Sequence, residues 1–120
     1  SWSRIEHHRQ HDEGDLGLLF QDWGIPTPDA LRELAPLRKR GVTLIASGGI
    51  RSGLDMAKAV VLGASLAGLA QPFLEPAMQS ADAVRAVIRR LRREFCVAMF
   101  LLGKARVNEL RGNDSLLAKT

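Results

Sequence analysis

The sequence contains one cysteine, Cys96, and this scarcity excludes a disulfide bond within the chain. A lone thiol indicates a reducing compartment, and we predict a cytoplasmic protein. Because Cys96 lies on the apolar side of a predicted helix, we expect a small core residue and not a nucleophile. The sequence also lacks an apolar run of the ~20 residues that cross a membrane, and its first residues do not resemble a signal peptide. We therefore expect no membrane partner.

Acidic residues are outnumbered, with 13 Asp and Glu against 17 Lys and Arg, a net charge of +4 and a pI near 10.0. The excess positive charge is concentrated in one predicted helix, in Arg85, Arg89, Arg90, Arg92 and Arg93. A basic helix face can bind nucleic acid or another anionic surface. Here no aromatic residue interleaves with the arginines and no nucleic-acid motif is present. We favour a solvated outer face and expect no nucleic-acid partner.

Two short apolar runs, residues 42–46 and 66–70, predict strands. The near-continuous apolar character of the first run is typical of a parallel strand that is covered on both faces. Helical patterns alternate with the two runs, which predicts an α/β fold with parallel strands. Two strands alone cannot form a closed sheet and would leave long edges exposed, so we expect further strands from a larger protein. We find no internal repeat.

Residues that cap helices predict where each helix begins and ends. The predicted N-caps are Ser3, Thr27, Ser52 and Ser80, and the predicted terminators are Gly41, Gly63 and Gly103. Thr27 is followed by Pro28, whose missing N–H costs nothing at the first helical position. Ser52 and Asp55 have the spacing of a capping box. Pro36 lies inside its helix, which we expect it to kink or split.

The longest predicted helix, starting after Ser80, carries one apolar stripe at spacings of three and four residues. Its members are Val84, Val87, Ile88, Leu91, Phe95, Met99 and Leu102. We expect Phe95, Met99 and the neighbouring Phe100 to form a core against a barrel or against a subunit partner. A second interpretation, in which these side chains form a cofactor site, is less favoured.

The candidate anion-binding residues lie in two loops that follow the predicted strands, Ser47-Gly48-Gly49-Ile50-Arg51 and Ala70-Gln71-Pro72. Glycines at a strand end let the backbone approach a ligand closely, and successive N–H groups there bind anions. The N-terminus of the helix that follows adds a partial positive charge, which also favours an anion. Plain turn chemistry would also account for the glycine pair alone. Two such loops one βα unit apart are typical of the phosphate site after strands 7 and 8 of a parallel barrel.

Arg51 has two open roles. Its guanidinium could reach a bound phosphate, or it could pair with Asp55 one helical turn later. In either case we expect the backbone N–H of Arg51 to contribute to phosphate binding.

Several segments resemble the type 2, FMN-dependent isopentenyl-diphosphate isomerases. The most specific are DWGIPT, within residues 20–27, and the run SGGIRSGLDMAKA. The segments LAGLAQPFL and MFLLGKARVNELRG are similar as well, and the opening Ser1-Trp2 resembles the end of that family's GGTSW segment. The glycine loop by itself is shared with many flavin and phosphate barrels. The resemblance extends from Ser1 to about Gly112.

The resemblance implies a (β/α)₈ TIM barrel, of which this chain is an incomplete C-terminal portion. It implies isomerisation of isopentenyl diphosphate to dimethylallyl diphosphate with FMN, with NADPH keeping the flavin reduced, and with Mg²⁺. It also implies a homo-oligomer. Carried over by motif position, Gly49, Ile50 and Arg51 would hold the FMN phosphate from one loop, and Ala70 and Gln71 would hold it from the other.

The family's substrate-binding basic residues and its Mg²⁺ carboxylate belong to parts of the barrel that have no match in this chain. We therefore expect no catalytic residue and no metal ligand here, and no activity from this piece alone. The chain lacks an initiator Met, and we expect an N-terminally incomplete fragment. Residues 1–120 would belong to one barrel domain, with residues 113–120 as a flexible tail.

Two alternatives remain. Another FMN barrel, such as a 2-hydroxy-acid oxidase or dehydrogenase, would share the phosphate loops, but no His–Arg pair typical of those enzymes lies between Val42 and Pro72. The histidines His7, His8 and His11 could suggest a metal site. Adjacent histidines on a helix point in different directions, so we favour a solvated helix end.

Overall fold

The computed structural model describes residues 16–118. The helices are α1 (Leu16–Leu19), α2 (Thr27–Lys39), α3 (Gly53–Val61), α4 (Gln71–Gln79) and α5 (Ala81–Leu101), the strands are β1 (Ile45–Ser47) and β2 (Leu66–Gly68), and two 3₁₀ turns span Val107–Glu109 and Asp114–Leu116. The second 3₁₀ turn falls within the predicted tail. The helix predicted over residues 4–10, the three histidines and Trp2 lie outside the described residues.

The two strands are parallel neighbours, as the alternation of helices and strands predicted. Ile45 pairs with Leu66 and Ser47 with Gly68. Both strands are shorter than predicted, with three residues each. The first is shorter because Val42 still belongs to the end of α2, where its N–H donates to the Leu37 carbonyl at 3.2 Å.

Only one face of the strand pair is covered within residues 16–118. Ala46 is buried under α2 and α3, at 2% exposure, in a cluster with Leu31, Leu44 and Ala59. On the opposite face the paired side chains Ile45 and Leu66 are 63% and 59% exposed. Residues 16–118 do not supply the cover that we predicted for the second face of this strand, so its burial on both faces stays a prediction. An exposed apolar pair on a parallel sheet is unusual, since such sheets are normally covered on both sides.

A second apolar cluster joins α3 to α5 and to the first 3₁₀ turn, around Val60, Val61 and Leu110. Gly53 makes the close approach of these helices possible, because a Cβ at that position would overlap the backbone of α5 at Leu91 and Phe95. The core thus fixes the start of α3, which follows the first predicted phosphate loop.

Two predictions for α5 are wrong in detail, since Cys96 is exposed and Ile88 is half exposed. Phe100 is 81% exposed and joins no core within residues 16–118, so its packing against a barrel or a subunit partner stays a prediction. Successive helical residues are rotated by about 100°, so Cys96 and Phe100 each lie one step past the inward-facing Phe95 and Met99. Phe95 and Met99 do pack against the second cluster.

The glycine terminators are confirmed. Gly41, Gly63 and Gly103 have positive φ angles of 86°, 110° and 65° and follow the ends of α2, α3 and α5. Each donates its N–H to the carbonyl three residues back, and the next residue donates to the carbonyl five residues back. This is the Schellman arrangement, which satisfies carbonyls at a helix end.

Of the predicted N-caps, Ser52 and Ser80 are confirmed. The Ser52 hydroxyl accepts from the N–H of Asp55 at 3.1 Å, and the Ser80 hydroxyl accepts from the N–H of Ala83 at 3.0 Å. Thr27 is not a cap, because the helix already begins at Thr27 and its hydroxyl is bonded elsewhere. Of the two effects predicted for Pro36, a kink or a split, the split does not occur, since α2 runs through Pro36 to Lys39. Pro36 is exposed, so water can satisfy the carbonyl that loses its helical partner.

Candidate functional site

A cleft of about 120 Å³ opens at the carboxyl ends of β1 and β2. About 10–15 Å³ of such volume suffices for one water molecule, so the cleft has room for a phosphate-sized group. Its lining comes from both strand ends, namely Ser47, Gly48, Gly49, Ile50, Arg51, Gly68, Leu69, Ala70, Gln71 and Leu74. All five residues that the sequence singled out for cofactor binding therefore lie around one cavity.

The parallel register brings the two loops together. Ser47 is paired with Gly68, so Gly49 and Ala70 each follow the paired positions by two residues. Gly68 lets the strands meet closely here, because a Cβ on it would lie 3.3 Å from the Ser47 hydroxyl. A larger side chain at position 68 would fill the floor of the cleft.

The glycine loop turns with two successive positive φ angles, 103° at Gly48 and 74° at Gly49. Residues with side chains rarely adopt such angles, which explains the glycine pair. The N–H groups of Gly49 and Ile50 donate to no acceptor within the part of the chain that the structure describes. Unpaired N–H groups beside a cleft need an acceptor from solvent or from a ligand.

The second loop leads directly into α4, which starts at Gln71. Ala70 precedes the helix and Pro72 has no N–H to satisfy. The N–H of Gln71 has no protein acceptor among residues 16–118, whereas Phe73 donates to the Ala70 carbonyl at 2.9 Å. Ala70 and Gln71 therefore face the cleft at the positive end of a nine-residue helix.

The start of α3, in contrast, is already occupied by acceptors from the protein. Asp55 Oδ2 accepts from the N–H groups of Arg51 and Ser52, both at 3.2 Å. Glu94 Oε2 accepts from the N–H of Gly53 at 2.7 Å. The expected contribution of the Arg51 N–H to an anion therefore competes with Asp55, and the guanidinium of Arg51 is the part of that residue that is left for a ligand.

Asp55 is held as a carboxylate by these contacts. Partial burial raises its pKa, but the Ser52 side chain, the N–H groups of Arg51 and Ser52 and the charge of Lys58 together lower the pKa below its usual 3.8. No Arg51–Asp55 ion pair forms between side chains of the described residues. The pairing of Arg51 with Asp55, one of the two roles left open for Arg51, is therefore made by the Arg51 backbone N–H.

Thr27 makes a contact with the glycine loop that the sequence did not predict. Its hydroxyl donates to the carbonyl oxygens of Ser47 and Gly48, at 3.1 and 2.9 Å. Pro26 takes the capping position instead, and its carbonyl accepts from the N–H groups of Asp29 and Ala30. The only signal for Thr27 was its place at the end of the DWGIPT segment.

The rest of that segment is peripheral to the cleft. Trp23 contacts the ring of Phe20 edge-on at a centroid distance of 5.9 Å but is 80% exposed.

Within residues 16–118 no group of three or more His, Cys, Asp or Glu side chains could hold a metal ion. In the same range, no helix combines the length and the apolar character needed to cross a bilayer.

Comparison with known proteins finds one matching family model and several similar proteins that share a name. The sequence model of the FMN-dependent dehydrogenase family matches residues 21–118. An isopentenyl-diphosphate delta-isomerase of Paracoccus zeaxanthinifaciens is 54% identical over 121 residues, which cover 98% of this chain and 35% of that protein. The protein of the same name from Hydrogenovibrio crunogenus is 49% identical, over 98% of this chain and 34% of its own length.

A relative of that name from Methanothrix thermoacetophila is 42% identical, over 92% of this chain and 31% of its own length. The resemblance to isopentenyl-diphosphate isomerases is thereby confirmed. The chain spans about a third of the length of these curated relatives.

Proposed function

The chain belongs to the FMN-dependent dehydrogenase family, and we propose from this that it supplies the FMN-phosphate site of an isopentenyl-diphosphate delta-isomerase. The observation that carries the proposal is the cleft at the two strand ends, which is lined by both predicted loops. The names of the relatives at 42–54% identity support the isomerase over other flavin enzymes.

The residues present fit a phosphate dianion. Four N–H groups, those of Gly49, Ile50, Ala70 and Gln71, border the cleft and have no acceptor among residues 16–118. Arg51 adds a positive charge at the rim, and α4 adds the partial positive charge of its N-terminus. The backbone can approach the phosphate because Gly48, Gly49 and Gly68 carry no side chain.

In this assignment the chain binds and orients one end of the cofactor. FMN, when bound, supplies the redox-active ring system, which in the reduced form takes part in proton transfer on the substrate. The chain's own contribution is the fixed position of the phosphate, which determines where the ring lies relative to the substrate.

We also propose that the described α/β unit is the C-terminal part of a (β/α)₈ barrel, with residues 1–120 belonging to one domain. The exposed pair Ile45 and Leu66 supports this, because further strands would close the sheet and cover that face. Catalytic residues, substrate-binding residues and the Mg²⁺ ligands would then lie outside the chain. Use of NADPH, a cytoplasmic location and a homo-oligomeric state complete the proposal.

The phosphate site is tested with two variants of the full-length protein, Gly49→Asp and Gly49→Asn. Asn and Asp have nearly the same shape and both are enriched at positive φ, so the pair differs chiefly in charge. Two like charges about 4 Å apart near a protein surface repel by ~4 kcal/mol at an effective dielectric constant of about 20. We expect Gly49→Asp to bind FMN at least tenfold more weakly than Gly49→Asn, with no such difference for riboflavin, which lacks the phosphate. Equal FMN affinity in the two variants would contradict the site.

The reaction is tested with the full-length protein, reduced FMN and isopentenyl diphosphate, by detecting dimethylallyl diphosphate. Oxidation of a 2-hydroxy acid with reduction of the flavin, in the absence of isomerisation, would instead assign the chain to another flavin enzyme of the same family.

A further inference from the structure

The glycine loop lies between two cavities. One is the cleft at the strand ends, and the other, of about 300 Å³, lies toward α2 and is lined by Thr27, Leu31 and Lys58 among others. Gly48, Gly49 and Ile50 line both cavities, whereas Thr27 lines only the second. Thr27 therefore contacts the loop from the side opposite to the proposed phosphate site.

The hydroxyl of Thr27 is shared between two carbonyl oxygens, those of Ser47 and Gly48, at 3.1 and 2.9 Å. In a planar trans peptide the C=O and the following N–H point in opposite directions. A Gly48 carbonyl that is held toward Thr27 therefore directs the N–H of Gly49 away from Thr27. Gly49 lines the cleft and Thr27 does not, so an N–H that points away from Thr27 is placed to face the cleft.

Gly48 makes this contact possible. A Cβ at position 48 would lie 3.0 Å from the Thr27 hydroxyl oxygen, and the φ angle of 103° there disfavours any side chain. Gly48 and Gly49 are exposed and carry no side chain, so their peptides have more conformational freedom than those of other residues, whereas the next residue, Ile50, is buried in the core. Among the described residues, Thr27 supplies the only side-chain hydrogen bonds to these two peptides.

We propose that Thr27 is a positioning residue that orients the glycine-loop peptides, so that the Gly49 N–H faces the phosphate of the flavin. This inference rests on the proposed function. Thr27 touches neither the phosphate nor the ring, and it acts by reducing the rotational freedom of the peptides that do. Its effect should therefore fall on the preference for FMN over riboflavin and not on flavin binding in general.

The test measures dissociation constants for FMN and riboflavin in the full-length protein, as wild type and as Thr27→Val, Thr27→Ser and Thr43→Val. Valine keeps the shape of threonine and removes the hydroxyl. Thr43 is an exposed threonine outside both cavities and is the matched control. One hydrogen bond contributes about 1 kcal/mol, so we expect Thr27→Val to weaken FMN binding by roughly fivefold.

We expect riboflavin binding to change less than about twofold in Thr27→Val, and FMN binding to stay within about twofold of wild type in Thr27→Ser and Thr43→Val. Unchanged FMN affinity in Thr27→Val, or equal loss for both flavins, would overturn the positioning role. If Thr27→Val does not fold, Thr27→Ser still decides, because a tenfold loss in a variant that keeps the hydroxyl contradicts the proposal. A wild-type protein that binds FMN no better than riboflavin would instead overturn the phosphate site itself, and with it this inference.

Discussion

The N–H of Gly53 donates to the carboxylate of Glu94 at 2.7 Å, across 41 residues of sequence. This bond joins the first residue of α3 to the middle of α5. Together with the contacts of Asp55 and Ser52, it gives the N–H groups of Arg51, Ser52, Gly53 and Asp55 acceptors from the protein at the start of α3. In the glycine loop, in contrast, the N–H groups of Gly49 and Ile50 have no acceptor among residues 16–118, and both residues line the cleft.

Replacing Glu94 with Gln tests the role of this carboxylate. A carboxylate at a helix start is favoured by the helix dipole, and its hydrogen bond is stronger than that of an amide. We expect Glu94→Gln to lower the free energy of unfolding of the full-length protein by about 1 kcal/mol, and to leave FMN affinity within about twofold. Urea denaturation and flavin titration measure the two quantities.

Glu75→Gln is the matched control for Glu94→Gln, since Glu75 is exposed and, among residues 16–118, accepts a hydrogen bond from Gln79 alone. We expect that control to be neutral in both assays. A marked loss of FMN affinity in Glu94→Gln would show that the carboxylate, and not the glycine loop alone, organises the cleft.

Replacing Gly53 with Ala should destabilise the protein far more than replacing a helical glycine usually does. Alanine normally stabilises a helix relative to glycine. Here its Cβ would overlap the α5 backbone at Leu91 and Phe95, which cannot move aside as a side chain could. We expect a loss of about 3 kcal/mol or more in the free energy of unfolding.

Gly68→Ala is the comparison, because its Cβ would meet the Ser47 side chain at 3.3 Å and a small rotation can relieve that contact. Thermal or urea unfolding of the two variants gives the ranking. A stable Gly53→Ala protein would mean that α3 and α5 can separate without cost, against the close packing seen here.

The contribution of Asp55 to the free energy of unfolding should decrease as the pH is lowered. The pKa of Asp55 is lowered in the folded state below its usual 3.8, so the ionised form stabilises the fold above that pH. The contribution is lost as the pH falls through the lowered pKa. Wild type should therefore exceed Asp55→Asn in free energy of unfolding at pH 7, and the difference should shrink by pH 3.

Urea denaturation at the two pH values measures this. Asp29→Asn is a suitable control, because Asp29 is also paired near a helix start but is more than half exposed, at 55%. A difference between wild type and Asp55→Asn that does not change with pH would contradict the assignment of the stabilisation to the charged form.

Much of this architecture could be predicted from local sequence because local chemistry determines it. Ser52 with Asp55, and the glycines that end α2, α3 and α5, act within five residues of themselves along the chain. The meeting of the two loops could be predicted because parallel strands end at the same edge of a sheet, and the family resemblance then named the five residues by motif position.

The contacts that could not be predicted are those between residues far apart in sequence. Glu94 and Gly53 are 41 residues apart, and Thr27 and Gly48 are 21 residues apart. The local sequence predicted that the Thr27 hydroxyl caps its own helix. In the folded chain this hydroxyl instead donates to the carbonyl oxygens of Ser47 and Gly48. The error at Cys96 has another origin, since a single step around a helix separates an inward position from an outward one.

The two loop glycines should differ in their tolerance of alanine. Gly49 has φ of 74° and open space around a Cβ, so Gly49→Ala should cost about 1–2 kcal/mol from backbone strain alone. Gly48 has φ of 103°, and its Cβ would also lie 3.0 Å from the Thr27 hydroxyl oxygen. Gly48→Ala should therefore cost more, and part of its cost should depend on Thr27. Thermal unfolding of the full-length protein, with and without Thr27→Ala, separates the two parts.

In the double variant Thr27→Ala with Gly48→Ala, the crowding at the hydroxyl is gone and only strain remains. We expect the free-energy losses of the two single changes to sum to more than that of the double variant, by about 0.5–3 kcal/mol, as is found for residues in contact. The corresponding pair with Gly49→Ala should be closer to additive, because nothing lies within 4 Å of a Cβ at Gly49. If both pairs are additive, the Thr27 hydroxyl does not constrain the loop, and the orientation of the Gly49 N–H must come from the glycine backbone itself.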